Sequence, residues 1–367
     1  MIKICAGNPS RWLQQYRGCK PTFACILSFT ETGLIPQISA AGKTPSDRRY
    51  TAALDGNYLL KPTDFDPRSP DYRLPALAAG ISPAVMTRAM LQSLSIPCRL
   101  LSTGLPAELS VPHIALPKAI ARSVTTGNAM PLSTAEELFA AGQYWGEKLA
   151  PKNSYLIIGE CVVGGTTTAQ AVLTALGYSV AGRMSSSLAT ANHSQKQKLV
   201  AEGLSAWREG VAHNPTRASA LGIAAAVGDP MQLVAAGMAI SASQRGGVLL
   251  AGGAQMLAVY ALASAISEAA YFLSAWQAER VVVGTTRWVI RDQSADVVAI
   301  ARQTNAPLLA SQISFSQSPY MQLRAYEQGF VKEGVGAGGC AIAAQLYQNW
   351  TQSQLRHVVE AELRTAF

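Results

Sequence analysis

Two glutamates stand where a carboxyl group could handle a proton. Glu160 follows the apolar run 154–159 and precedes Gly164, Gly165, Thr166 and Thr167, while Glu333 leads a glycine-rich bend into an apolar stretch of small residues. An unperturbed glutamate titrates near ~4.3, so each is ionised at neutral pH without tuning. A lone acid beside flexible backbone can serve as a general base. Glu333 would serve equally well as a helix-start carboxylate favoured by the macrodipole, and Glu160 as a cap or a loop acid in water.

Gly164 and Gly165 let backbone approach a ligand, free N–H groups at a helix start point outward, and threonine hydroxyls add donors, a combination that suits a phosphate. The same residues also describe a strand-to-helix turn capped by threonine. The segment is neither G-x-G-x-x-G nor G-x-x-x-x-G-K-[ST], so dinucleotide and Walker-type sites lose their main support. A third group sets Ser185, Ser186 and Ser187 ahead of Lys196 and Lys198, which fall on a predicted helix. Hydroxyls with an ammonium suit phosphate, although lysines on a helix are commonly just solvated.

These groups need a frame, and the sequence supplies one. Short aliphatic runs at 23–29, 98–104, 154–159, 178–182, 247–252, 279–285 and 306–312 predict strands. Several are apolar without alternation, as strands covered on both faces are. Stretches 83–95, 134–150, 168–177 and 229–244 between them predict helices, the alternation of parallel βαβ construction. Ser133 or Thr134 and Asp229 are candidate N-caps, the last with Pro230 at the first helical position. Glu160 then lies just past a strand, where open α/β sheets bind ligands. Residues 41–82 read as irregular, a candidate mobile loop, and the ends 1–20 and 321–367 as a smaller helical subdomain beside a large domain over 21–320.

The 367-residue chain is 49% apolar and 14% charged, which permits a large core and excludes global disorder. Its net charge of +8 raises anionic partners. No basic tract of the nucleic-acid kind occurs; the densest groups are Lys43 with Arg48 and Arg49, and Lys196 with Lys198. A small anionic substrate is therefore expected, and no nucleic acid. Residues 246–267 carry no charge and could span a bilayer by length, but the glycine pairs at 246–247 and 252–253 favour a buried strand, a turn and a buried helix, hence no membrane. Six cysteines without a C-x-x-C pair and four histidines without ligand spacing predict a reduced, cytoplasmic protein with no metal site. The N-terminus lacks the apolar core of a secretory signal.

The order GE…GGTTTA, GR…K, DP…VLLAGG and KEGVGAGG, from about residue 80 to 345, resembles the nicotinate-nucleotide:dimethylbenzimidazole phosphoribosyltransferase family of cobalamin assembly. The stretch FTETGLIPQISAAGKTPSDRRYTAALDGNYLL is similar to a divergent archaeal and cyanobacterial branch. The resemblance implies an α/β fold, a Rossmann-like parallel sheet with helices on both faces plus a small helical subdomain, in a homodimer. It implies transfer of the phosphoribosyl group of nicotinate mononucleotide to an aromatic heterocyclic base, giving an α-ribotide and nicotinate with no cofactor. By motif, Glu333 matches the general base and Glu160 a second active-site acid. Gly164, Gly165, Thr166, Thr167, Ser185 and Gly334 fall in the nucleotide-binding segments. Lys198 matches the helix lysine near the phosphate, with Lys196 its competitor, and Ser314 or Ser316 a further nucleotide-binding serine. The loop departs from the usual GE-x-G-x-G-N-T-T at Val162 and Gly165, GR-G-T-G has become GRMSSS, and no acidic, histidine-bearing base-pocket segment stands around Ala79 to Arg88. Dimethylbenzimidazole, adenine or another heterocycle all stay open as acceptors. A second reading, a homologue that binds nucleotide without turning it over, stays open too.

Overall fold

A computed structural model describes residues 2–62, 69–77, 79–269 and 276–366. Eight strands form one sheet in the order β1-β8-β7-β6-β5-β2-β3-β4. They are β1 (Ile2–Ala6), β2 (Thr22–Ser28), β3 (Cys98–Thr103), β4 (Ile114–Ala115), β5 (Tyr155–Cys161), β6 (Gly247–Ala251), β7 (Val281–Thr286) and β8 (Leu308–Ser311). All neighbours are parallel except β1, which runs antiparallel to β8 at one edge.

The unbroken apolar runs are explained by two cores, one on each face. Ala24, Ile26, Leu156 and Ile158 enter one core, and their chain neighbours Phe23, Cys25, Leu27, Tyr155 and Ile157 enter the other. Side chains alternate across a strand, so a strand covered twice has to be apolar at every position. Helices Leu132–Leu149, Gly165–Ala175, Pro230–Ser243 and Ala254–Ala269 supply the first core; helices Ala84–Ser93, Ala337–Gln348 and Gln352–Thr365 supply the second.

Asp229 caps its helix in a full capping box with Gln232, with Pro230 at the first turn. Ser133 and Thr134 do not cap: the helix begins at Leu132 after Pro131, with no side-chain cap. Residues 246–267 fold as β6, a glycine turn and most of a helix, and no helix among the described residues is long and apolar enough to cross a membrane.

Three expectations are corrected. Residues 178–182 form no strand, because the polar turn at Ser179 and Gly182 follows the helix at once and leaves no run to pair. The N-terminal end is not simply helical: Ile2–Ala6 pairs with β8 before a short helix Ser10–Gln15, and Gly18 N–H donates to Leu346 O at 2.9 Å, joining the two ends of the chain. Within 41–82, residues 63–68 and 78 lie outside the described residues, but Thr51–Leu59 is a regular, almost wholly buried helix.

The order in which strands are added reverses between the parallel neighbours β2 and β5. From β2 the chain builds outward through β3 and β4, then returns past β2 to lay down β5, β6, β7 and β8 on the other side. The carboxyl ends of β2 and β5 therefore frame a crevice, the place where such sheets bind ligands.

Candidate active site

That crevice is a cleft enclosing about 980 Å³ counted out to open solvent. It is lined by Ile38–Ala41, Thr51, Asp55, Ser82 and Pro83 together with Glu160–Thr166, Ser185–Ser187, Gly253–Gln255 and Val331–Val335. Glu160, Glu333, Gly164, Gly165, Thr166, Ser185 and Gly334, distant in sequence, thus meet in one place.

Glu160 is a buried carboxyl one residue before the end of β5, inside the strand and not just past it, since the strand continues through Cys161. Gln255 Nε2 donates to its Oε1 at 2.9 Å and Val162 N–H to its Oε2 at 3.0 Å. Burial, and then the negative charges of Asp229 and Glu333, push its pKa up to about 8, so at neutral pH it is mostly protonated. Glu333 both lines the cleft and caps the helix Ala337–Gln348, taking Gly338 N–H at 3.0 Å and Gly334 N–H at 3.1 Å on Oε1, with Thr285 Oγ1 donating to Oε2 at 3.1 Å. The helix-start role and the cleft role are therefore one arrangement. Burial raises its pKa to about 7 despite these donors.

The loop around Glu333 is strained. Val331, Lys332 and Val335 have φ of 64°, 67° and 53°, and Gly334 and Gly336, on either side of Val335, have 148° and 73°. A β-branched residue rarely adopts such a φ, and each instance costs ~1–3 kcal/mol. Neighbours hold it in place: Val335 N–H donates to Glu160 O at 3.0 Å, Val331 N–H to Ser187 O at 2.9 Å, and Thr87 Oγ1 to Val335 O at 2.8 Å. The Glu333 loop is therefore tied to Glu160 by the backbone hydrogen bond from Val335.

Gly164 turns the chain at φ 89°, and a Cβ there would sit 2.7 Å from Gly33 N, so β2's loop and β5's loop touch only because both are glycine. Thr166 opens the helix facing the cleft. Thr167 does not: its side chain is fully buried and Oγ1 has no partner among the described residues.

Other candidates part company. Lys198 is exposed and does not line the cleft, whereas Lys196 is 0% exposed and its Nζ donates to Ser185 O at 3.1 Å. Two positions along a helix turn the side chain by about 200°, so only one of the pair can face inward. Ser314 and Ser316 also lie outside the cleft. Ser314 Oγ donates to Glu327 Oε1 at 2.9 Å and to Ser316 Oγ at 3.2 Å, beyond β8 and one strand farther from the crevice than Thr285.

Residues that the sequence reading passed over complete the site. Asp55, 3% exposed, accepts Ser82 Oγ–H at 2.5 Å and the Cys161 thiol at 3.3 Å, and burial lifts its pKa to about 7. An aspartate inside the apolar stretch TAALDGNYLL was the available signal. Arg48 is buried and donates to the carbonyls of Ala41, Gly33, Ile35 and Ser39 at 2.7–3.0 Å, fixing the wall at 33–41. Lys332 and Asp292 pair at 2.8 Å behind the serine loop. Among the described residues no group of histidine, cysteine or carboxylates could hold a metal.

A family profile described as Phosphoribosyltransferase matches residues 85–280, more than half of the chain. The chain belongs to this family. A UPF0284 protein of Cyanothece sp. is 53% identical over 95% of this chain and 93% of its own, and one of Microcystis aeruginosa is 51% identical over 98% of each. The fold is that of CobT from Thermus thermophilus, with a TM-score of 0.61 at 14% identity over 96% of this chain and 90% of that one. A second structure, a nicotinate-nucleotide-dimethylbenzimidazole phosphoribosyltransferase of the same organism, gives 0.57 at 15% identity, covering 96% and 86%. The α/β sheet with helices on both faces and the cyanobacterial branch are thus as the sequence suggested.

Proposed function

We propose that the protein moves the phosphoribosyl group of nicotinate mononucleotide to a ring nitrogen of an aromatic heterocycle, with inversion at C1′, releasing nicotinate. The observation that carries this reading is a single cleft holding a near-neutral carboxyl, Glu333, beside two loops rich in phosphate donors. The nicotinate ring nitrogen is already cationic, so the C1′–N bond breaks with its electron pair passing to that nitrogen. The acceptor's nitrogen lone pair forms the new bond to C1′, and the acceptor's N–H proton goes to Glu333. A base with a pKa near the working pH is efficient for such a transfer.

Glu160, protonated at neutral pH, adds a hydrogen-bond donor to the cleft floor without a second negative charge that would compete for the phosphate. Asp55 lines the same cleft and accepts the thiol of Cys161, the neighbour of Glu160. Holding the partners in line supplies much of the remaining acceleration. The protein is proposed to act as a cytoplasmic homodimer with these two small molecules as its partners. Incubation with nicotinate mononucleotide and a panel of bases, dimethylbenzimidazole and adenine among them, should release nicotinate with at least one. Absence of release with every base, under conditions where the nucleotide binds, would leave the binding-only reading instead.

A further inference from the structure

A second cavity of about 720 Å³, counted out to open solvent, is lined by Arg287, Trp288 and Arg291, which follow β7, and by the turn at 326–329. Lys332 lines both this cavity and the Glu333 cleft and so forms the border between them. No step of the proposed transfer uses the second cavity.

Its carboxylates are occupied and its arginines are not. Asp292 takes Lys332 Nζ–H at 2.8 Å and Ser185 Oγ–H at 3.0 Å on Oδ2, and Ser294 N–H at 3.0 Å and Oγ–H at 2.6 Å on Oδ1. Glu327 takes Ser314 Oγ–H at 2.9 Å and Phe315 N–H at 2.7 Å on Oε1, and Arg287 Nη2–H at 3.2 Å on Oε2. Lys332 is occupied as well, its three N–H groups going to Asp292, Ser186 O and Leu188 O. Arg287, by contrast, bonds only through Nη2, and its buried Nε has no partner among the described residues. Arg291 is exposed and makes no side-chain hydrogen bond or ion pair among them. Trp288 is 5% exposed and is held by Phe315 and Tyr326, with ring centroids 5.4 and 4.8 Å away; its buried Nε1 also lacks an acceptor among the described residues. Buried N–H groups without partners are rare in folded proteins.

Charge points the same way. Arg287, Arg291 and Lys332 set three cations against two carboxylates, which leaves one positive charge. A ligand that only accepts hydrogen bonds, an oxyanion, matches a surplus of N–H donors together with a surplus of positive charge. The planar fork of arginine fits the paired oxygens of a carboxylate or a phosphate.

We propose that this cavity is a second binding site, separate from the Glu333 cleft, in which Arg287 and Arg291 grip the carboxylate or phosphate group of a small molecule, with the Trp288 indole N–H as a further donor. The ion pair with Glu327 orients the Arg287 guanidinium, and Lys332, already saturated, is the partition between the two cavities and does not bind the ligand. The site stands independently of the phosphoribosyl reading.

The test is a titration of the full ¹⁵N-labelled chain with inorganic phosphate and, separately, with succinate, read by NMR at the Trp288 indole and Arg287 Nε–H signals. Trp288→Phe and Arg287→Lys assign those signals. We expect both to shift saturably with at least one probe, and the probe that acts identifies the group recognised. Arg291→Gln changes an exposed side chain and should weaken binding about tenfold, the worth of one charge-assisted hydrogen bond. Arg287→Lys keeps the charge and loses the fork, so it should weaken binding at the Trp288 signal too. Phosphate can also enter the Glu333 cleft, and the Gly164 and Gly165 amides report that in the same spectra. Shifts at those glycines with Trp288 and Arg287 unmoved would place the anion in the cleft alone and overturn the inference. So would wild-type affinity in both arginine variants, or no saturable shift with either probe at millimolar concentration. Binding at Trp288 in a protein that never releases nicotinate would sink the transfer reading and leave this site standing.

Discussion

Two buried groups of acids in this molecule are handled in opposite ways. Glu362, on the C-terminal helix, meets Lys61 at 3.2 Å, Arg88 at 3.1 Å and the Tyr58 hydroxyl at 2.7 Å, so its charge is matched by cations. Glu160, Glu333 and Asp55 share the cleft with hydroxyl, thiol and amide donors and no lysine or arginine partner among the described residues. The first arrangement sets one carboxylate between two cations. The second lifts all three pKa values toward or past neutrality. A carboxyl left without a counter-ion is poised to exchange a proton, and that difference separates a structural acid from a reactive one.

The comparison breaks most sharply at Glu333. Glu333→Gln should lower turnover by ~10²–10⁴-fold, the worth of a general base, while nicotinate mononucleotide still binds by calorimetry and melting at pH 8 is not lowered. Full activity in this variant would remove Glu333 from the mechanism. Glu362→Ala should do the reverse. It leaves Lys61 and Arg88 without the carboxylate they share and should cost ~3–5 kcal/mol in urea unfolding, with the surviving folded fraction turning over normally.

pH sharpens the contrast. Activity should rise as Glu333 loses its proton through about 7. Stability should move the other way for the cleft acids. The folded pKa of Glu160 is raised from 4.5 to about 8, so its contribution is fully present below 4.5 and is lost as pH climbs through 8. Melting curves of wild type and Glu160→Gln should therefore diverge between pH 5 and 8 with wild type falling; parallel curves would mean Glu160 is not held neutral. The smallest effects concern the paired threonines. Thr166→Val should weaken the nucleotide by ~1.5–3 kcal/mol, and Thr167→Val, deleting a hydroxyl that has no partner among the described residues, should leave affinity alone and change stability by under ~1 kcal/mol.

Much of this was legible from residue order. Six of the seven predicted strands and the four named helices are present because uninterrupted apolar runs and a Pro-and-Asp cap are local signals. The strand at 178–182 failed because Gly177 and Gly182 turn the chain at φ 96° and 73° at its two ends, and β1 was missed because its exposed residues Lys3 and Ile4 give an edge strand no distinct periodicity. Glu160, Glu333 and the Gly164–Thr166 turn, which the fold gathers into one cleft, could be singled out because glycine and acid types near strand ends are informative by themselves. Asp55 was missed since an acid within a helix looks solvated until the helix is known to be buried. The choice between Lys196 and Lys198 depended on which side of one helix packs inward.

The sequence by itself determined a doubly covered parallel sheet, two acids and a phosphate-suited turn, since backbone propensity and side-chain chemistry are written residue by residue. Tertiary structure alone decided that Glu333 and Glu160 share a cleft with Asp55, that Thr167 and the serines at 314 and 316 do not line it, and that five basic side chains lie inside the fold. Arg48, Lys61, Arg88, Lys196 and Lys332 are all buried. Charge and pKa depend on what surrounds a group, and surroundings are set by elements far apart in the chain.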